Sequence, residues 1–415
     1  MQISLHPDFQ GSADGERAQA IVRKCVHCGF CLATCPTYQL LGDERDSPRG
    51  RIYLMKQVLE GYAPTPEVQL HLDRCLTCRN CETTCPSGVD YAELLDIGRR
   101  IVEQRVPRSA AQRATRWLLK EGLPSRAFAP MVRAGVALRP LLTASLRHKL
   151  PPAGKARSQL AWPSAEHERK VLMLAGCVQP SLRPDINPAS ARVLDAAGVQ
   201  ALIAPEAGCC GAIRGHLADQ AGSLADMRRN IDAWTPYLDG TGGKGRVEAI
   251  VINASGCGVT VKDYGHLLAA DPAYAQKAAR VSALARDLGE YLLDLAPRIR
   301  ARLPPQGAAL AVHVPCTLQH GMKLPGRIEK LLRDLGFDVR IAAEEHHLCC
   351  GSAGTYSVLE PELATRLRDR KLAHLEKLEA AVVVSANIGC IQHLQSGTDL
   401  PVRHWIEVVD GALHR

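Results

Sequence analysis

The chain has 415 residues, a formal net charge of +8, 46% hydrophobic and 4% aromatic content, and sixteen cysteines. That length has room for two or three domains with proper cores, and no charge-free apolar run reaches the about eighteen residues that a membrane-spanning helix needs. Residues 1–23 are polar and lack the apolar centre of a secretory leader, so the thiols are expected in a reducing compartment, kept for metal rather than disulfides.

Residues 1–106 carry two copies of one cysteine spacing, Cys25-x-x-Cys28-x-x-Cys31-x-x-x-Cys35-Pro36 and Cys75-x-x-Cys78-x-x-Cys81-x-x-x-Cys85-Pro86. This is the bacterial ferredoxin run for [4Fe–4S] clusters: three thiolates wrap one cube, and the fourth points away to the other cube. The spacing therefore assigns Cys25, Cys28, Cys31 and Cys85 to one cluster, and Cys75, Cys78, Cys81 and Cys35 to the other. Four thiols in eleven residues overfill a structural zinc site, and a disulfide framework suits a short secreted chain instead. A helical pattern over 48–72, between the runs, and another over 91–106 (Leu94, Leu95, Ile97, Ile101, Val102) predict a helical ferredoxin domain.

Residues 107–168 read as a connector cut by Pro107, Pro124, Pro130, Pro140, Pro151, Pro152 and Pro163 into short helical pieces, among them 116–120, 131–139 and 141–150. From Arg99 to Lys170 there are sixteen Lys and Arg against four Glu and no Asp. Basic amphipathic pieces suit an anionic membrane surface, where each Lys or Arg contributes about 1 kcal/mol. They equally suit packing on a partner or on the chain's own domains. Motifs and aromatic platforms for nucleic acid are lacking, and no such partner is expected.

Residues 169–300 and 301–415 form a duplication. Strand 171–176 leads to Cys177, helix 189–197 and strand 199–204 to Cys209-Cys210-Gly211, and helix 217–234 and strand 249–252 to Cys257. The second copy repeats this order. Strand 309–314 leads to Cys316, helix 327–335 and strand 338–342 to Cys349-Cys350-Gly351, and helix 361–378 and strand 381–385 to Cys390. Alternating strands and helices predict parallel sheets covered on both faces, with ligands gathering beyond the strands' carboxyl ends. The predicted fold class is thus a helical ferredoxin domain followed by a duplicated α/β Cys-Cys-Gly domain with parallel sheets.

Cys177, Cys209, Cys210 and Cys257, and their counterparts Cys316, Cys349, Cys350 and Cys390, could hold a further iron–sulfur or zinc centre, or could be buried structural thiols. The duplication reproduces the thiols as well as the fold, which favours a metal centre. His313, His320, His346, His347 and His393 lie nearby and are expected to be structural or solvated. Gly240-Thr241-Gly242-Gly243-Lys244-Gly245 matches a dinucleotide fingerprint in letters only; it precedes a strand and reads as a loop.

Several stretches carry a family resemblance: Cys25-Val26-His27-Cys28-Gly29-Phe30-Cys31, Arg74-Cys75-Leu76-Thr77-Cys78-Arg79-Asn80-Cys81-Glu82, Glu206-Ala207-Gly208-Cys209-Cys210-Gly211, Leu348-Cys349-Cys350-Gly351-Ser352-Ala353-Gly354 and Val402-Arg403-His404-Trp405-Ile406-Glu407. Over essentially its whole length the chain resembles the iron–sulfur subunits of bacterial glycolate oxidases. The resemblance implies an electron-transfer subunit without a catalytic site of its own. It would pass electrons from FAD on partner glycolate oxidase subunits to membrane quinone, at the cytoplasmic face of the inner membrane. The Cys-Cys-Gly copies also resemble those of heterodisulfide reductase and of lactate-utilisation and anaerobic glycerol-3-phosphate dehydrogenase subunits, which keeps as alternatives a disulfide or quinone reductase with its own site in the repeats, or a subunit of a related D-lactate or glycerol-3-phosphate dehydrogenase. In the heterodisulfide reductase form each copy ends in Cys-x-x-Cys; Ala254 and Asn387 stand at the first of those positions here.

Overall fold

The computed structural model describes residues 1–141, 158, 160–241 and 245–414. The connector piece expected over 141–150, Pro151 and Pro152 lie almost wholly outside the described residues, as do three residues of the glycine-rich loop.

Before Arg169 the described residues are helical and contain no strand. Helices Ala13–Lys24, Pro48–Leu59 and Pro66–Asp73 begin at side-chain caps: Ser12, Ser47 and Thr65 accept from the N–H groups of Gly15, Gly50 and Val68. Pro36, Pro48 and Pro66 occupy first helical turns, where a missing N–H costs nothing. The pattern over 48–72 is two helices rather than one. Gly61 at φ +102° turns the chain, and Pro64 and Pro66 forbid a continuous hydrogen-bond ladder. Ile21, Met55, Leu72, Leu94 and Leu95 fill the core between these helices and Tyr91–Arg105.

The connector forms helices Ala110–Gly122 and Phe128–Ala137. Much of its positive charge is spent internally: Arg108 on Glu103 and Asp73, and Lys120 on Asp219. Glu121 adds a pair with Arg214, which pins the connector to the first copy.

The duplicated part contains two four-stranded parallel sheets. Strands β1 (Arg169–Met173), β2 (Val199–Leu202), β3 (Ala249–Ile252) and β4 (Ala285–Asp287) lie in the order β2-β1-β3-β4. Strands β5 (Ala309–Val312), β6 (Asp338–Arg340), β7 (Val382–Ser385) and β8 (Val402–His404) repeat that order as β6-β5-β7-β8. The edge strands β4 and β8 were not foreseen; three residues apiece, reading Ala-Arg-Asp and Val-Arg-His, carry no periodic signal.

The inner strands β1, β3, β5 and β7 bury both faces, as parallel strands inside a covered sheet must, while the edge strands β4 and β8 leave Arg286 and Arg403 exposed. Val171, Val251, Leu310, Val312 and Val384 face one core common to both sheets, closed by helices Ile186–Ala196, Leu288–Leu293, Arg327–Asp334 and Trp405–Leu413. Leu172, Ile250 and Ile252 face a second core around Trp234 and Tyr264, while Ala311 and Val383 face a third.

His404 ties the copies together. Its Nε2–H donates to the Asn253 carbonyl (2.8 Å), and its Nδ1 accepts from the Ile406 N–H (3.2 Å). Burial holds this imidazole down to about 4, against the Asn253 bond, which favours the charged ring.

Two outcomes follow for anaerobic denaturation. Trp405→Ala, emptying a site in the shared core, should cost about 3–5 kcal/mol and lower the unfolding of both sheets together. As pH falls from 6.5 towards 4, the unfolded state takes up a proton that His404 refuses in the native state. Stability should therefore decline across that window by up to about 3 kcal/mol, and His404→Asn should flatten the decline.

Candidate metal centres

The two ferredoxin-type runs share a backbone as well as a spacing. Positive φ recurs at matched positions: His27 (+61°) and Gly29 (+88°) in the first run, Thr77 (+53°) and Arg79 (+61°) in the second. Three of these four are not glycine, so the loops store strain, which clusters at sites that must present groups inward. Arg79 is held there by ion pairs to Glu82 and, across to the first copy, Asp263. Short helices Phe30–Ala33 and Asn80–Thr84 then carry Cys31 and Cys81.

One pocket is lined by Cys25, Cys28, Cys31 and Cys85, with Cys81 and Ile52 in its wall. It gathers three thiols of the first run with Cys81 and Cys85 of the second. Cys35 lies conversely among Cys75, Cys78 and Cys81. Burial pushes the Cys31 thiol up to about 11, with Cys25 and Cys35 adding to it. Burial likewise raises Cys78 and Cys81 well above the usual thiol range, with Cys316 adding at Cys78, Cys78 adding at Cys81, and Cys75 and Cys35 adding at both. Crowded, desolvated thiols resist ionisation until a cation is supplied, and an iron–sulfur core supplies one. The donor set fits that group.

A buried cation already stands beside the second set. Arg51 is fully buried; it donates from Nε to the His71 carbonyl (2.6 Å) and from its Nη atoms to Thr37 Oγ1 (3.2 Å) and Asp46 Oδ1 (3.2 Å). Burial works against its charge, but Tyr91, Cys75, Cys35 and Asp46 hold its pKa above the ordinary range. Thr37 Oγ1 lies 3.3 Å from Cys35 Sγ, and the Tyr91 hydroxyl donates to Cys75 Sγ (3.7 Å). Sequence reasoning missed Arg51, which reads as one more charge on a helix.

In the duplicated part every thiol lies beyond a strand's carboxyl end. Gly211 (φ +93°) and Gly351 (φ +87°) explain why glycine closes each Cys-Cys pair. A Cβ on Gly211 would meet the Ser223 carbonyl oxygen at 2.9 Å, and one on Gly351 the Ala364 oxygen at 2.5 Å. The turn lets both cysteines of each pair bury, Cys209 with Cys210 and Cys349 with Cys350. In the first copy, Cys177 and Cys210 thiols donate to Cys209 and hold it well below the usual thiol range. Asn387 donates from Nδ2 to Cys390 Sγ (3.6 Å), so an amide donor stands where a Cys-x-x-Cys form would bring another thiolate.

The second copy also meets the ferredoxin region. Cys316 Sγ lies 3.8 Å from Cys349 Sγ, and Cys78 packs against both in one cluster with Leu76 and Tyr356. His320 clamps this contact, bonding Thr83 Oγ1 (3.0 Å) and the His347 carbonyl (3.0 Å). His393 bonds the Ala364 carbonyl (3.0 Å), and His346 and His347 meet edge to face. His313 is different. It is buried, its Nδ1 lies 2.9 Å from Ser385 Oγ, and its Nε2 has no partner among the described residues, an omission that ordinarily costs about 1–3 kcal/mol. Arg51→Met would leave the buried Asp46 carboxylate to Arg74 and His71 alone. It should lower stability by about 3 kcal/mol in urea denaturation of the anaerobic protein.

Comparison with known proteins agrees with this layout. A 4Fe-4S dicluster domain matches residues 21–89, and a cysteine-rich domain matches twice, at 171–262 and 310–395. The chain is 51% identical to the glycolate oxidase iron–sulfur subunit of Escherichia coli K12 across the whole of both proteins. It is 32% identical to the probable glycolate oxidase iron–sulfur subunit of Bacillus subtilis, covering 90% of this chain and 88% of that protein. Lactate utilization protein A of Bacillus velezensis is 24% identical, spanning 58% of this chain and 99% of its own length. The thiol sets on their helical and α/β supports are thus those of an iron–sulfur oxidoreductase subunit, and the chain belongs to the family of glycolate oxidase iron–sulfur subunits.

Proposed function

We propose that the chain is the electron-transfer subunit of a flavin-linked glycolate dehydrogenase, taking electrons from FAD on partner subunits as glycolate becomes glyoxylate and delivering them to membrane quinone. Cys25, Cys28, Cys31 and Cys85 would hold one [4Fe–4S] cluster, and Cys75, Cys78, Cys81 and Cys35 the other. Clusters so held supply one-electron carriers with potentials set by hydrogen bonds to sulfur and by burial. Residues 1–106 would then be the cluster domain, 107–168 a connector, and 169–300 and 301–415 the two repeats.

The observation that carries this reading is the different depth of the two thiol sets. Cys28 is exposed, flanked by Val26 (68% exposed) and Phe30 (62%), an apolar surface suited to a docking flavoprotein. The second set lies inward, against Cys316 and Cys349. Electrons would enter at the first set and leave through the second. Arg51, beside Cys35 and Cys75, favours an added electron there. The exposed Trp117, Leu118, Met131 and Leu138 on the connector helices suit contact with a membrane surface. Among the described residues no helix is long and apolar enough to cross one.

The test is the purified complex carrying Cys78→Ser. Glycolate should still bleach the partner's flavin, while reduction of a quinone analogue falls about 100-fold or more, equivalent to about 2.7 kcal/mol. Unchanged quinone reduction would remove the second set from the path. Faster flavin bleaching by D-lactate or glycerol 3-phosphate would reassign the substrate.

A further inference from the structure

The two copies share one strand order, and at two matched strand-end positions they differ in polarity. Leu174 of the first copy corresponds to His313 of the second: each follows its central strand, and their N–H groups donate to Val251 (3.3 Å) and Val384 (2.9 Å). The next residue on the neighbouring strand is Ile252 in the first copy and Ser385 in the second. In the first copy Leu174 and Ile252 pack with Cys210 in an apolar core. In the second both positions turn polar together, and His313 Nδ1 meets Ser385 Oγ at 2.9 Å.

That pairing is what a metal-binding imidazole requires. With Nδ1–H donated to the serine, the ring is oriented and the Nε2 lone pair is left open. Nε2 is buried and has no partner among the described residues, and ligand atoms of His313, Cys350 and Cys390 lie within 4.8 Å of one another. A tetrahedral zinc ion, with bonds of about 2.3 Å to sulfur and about 2.0–2.1 Å to nitrogen, places its ligands about 3.5–3.8 Å apart. The Cys316–Cys349 sulfur separation, 3.8 Å, falls in the same range. A four-iron cube ligated at each iron needs wider spacing, and the ferredoxin-type thiols form no three-ligand group this tight among the described residues. The first copy forms none either among the described residues. Buried Lys371, donating to the Glu345 and His346 carbonyls that lead into Cys349, offsets thiolate charge; in the first copy Arg229 and Asn230 both donate to the Cys209 carbonyl.

We propose that the second copy binds a single thiophilic divalent cation of the zinc type through His313, Cys350 and Cys390, with the Cys316–Cys349 pair supplying the fourth ligand, and that the first copy lacks this site. The inference does not depend on the electron route. The ion holds the Cys-Cys-Gly turn that abuts Cys78.

The experiment uses the full chain with its partner subunits, purified anaerobically from cells supplied with iron and zinc. Zinc and iron per chain are read by mass spectrometry, and the zinc environment by X-ray absorption. The expected result is one zinc per chain in a mixed sulfur and nitrogen shell. His313→Leu should weaken zinc retention against a chelator at least about tenfold with iron unchanged. His313→Cys should restore zinc in an all-sulfur shell, which separates loss of a ligand from failure to fold. A zinc-free wild type, an all-sulfur shell in the wild type, or full retention in His313→Leu would overturn the proposal. The ferredoxin-type electron paramagnetic resonance signal of the same dithionite-reduced samples reports on the electron-transfer reading separately, and its absence would sink that reading alone.

Discussion

Two parallel sheets closing on one shared core are the constraint from which the placement of the thiols follows. A parallel sheet is stable only when covered on both faces. Here the inner faces of both sheets, through Val171, Val251, Leu310 and Val384, are covered by the same helices, with Trp405 among them. The strand ends of the two copies are therefore fixed relative to each other. Ser255 N–H reaches the Ala386 carbonyl (3.0 Å), and Ser255 Oγ meets Thr317 Oγ1 (2.8 Å). The thiol loops supply little of this stability themselves. They carry positive-φ residues and desolvated sulfur, and apolar packing elsewhere has to hold them.

Buried charge is handled locally. Asp46 would be costly alone at full burial, but Arg51, Arg74 and His71 surround it, and Arg51 reaches on to Thr37 beside Cys35. One network thereby neutralises an acid and brings a fixed cation to the sulfur ligands. Lys371 plays a comparable part at Cys349 and Cys350, where the thiols favour its charge and burial opposes it. Such cations are placed before any electron arrives, so the surroundings need little reorganisation when charge changes.

The ferredoxin runs were legible because their spacing is itself a loop geometry: every third residue turns inward, and Pro36 opens the next helix. The duplicated strands were legible from their apolar runs, down to β3 and β7, but β4 and β8 were too short to show. Composition alone did not show which of the connector's charges are paired. Arg108 and Lys120 contribute to a basic excess in sequence, yet in three dimensions they answer acids on neighbouring elements. Arg51 was invisible for the converse reason: a helix charge normally faces water, and only the packing of Cys35 and Cys75 around it turns it inward.

His313 makes the same point within one fold. A single histidine beside a strand is ordinary, and no motif distinguishes it. It becomes informative only when the copies are laid in register and Leu174 with Ile252 is seen to have become His313 with Ser385. A change of one position would leave either an unoriented imidazole or a stranded hydroxyl; the two changes together make a ligand with its support. The copy so altered is also the one that packs against Cys78. Identical topology thus carries different chemistry at its two strand-end sites, and what separates them is the neighbour each must face.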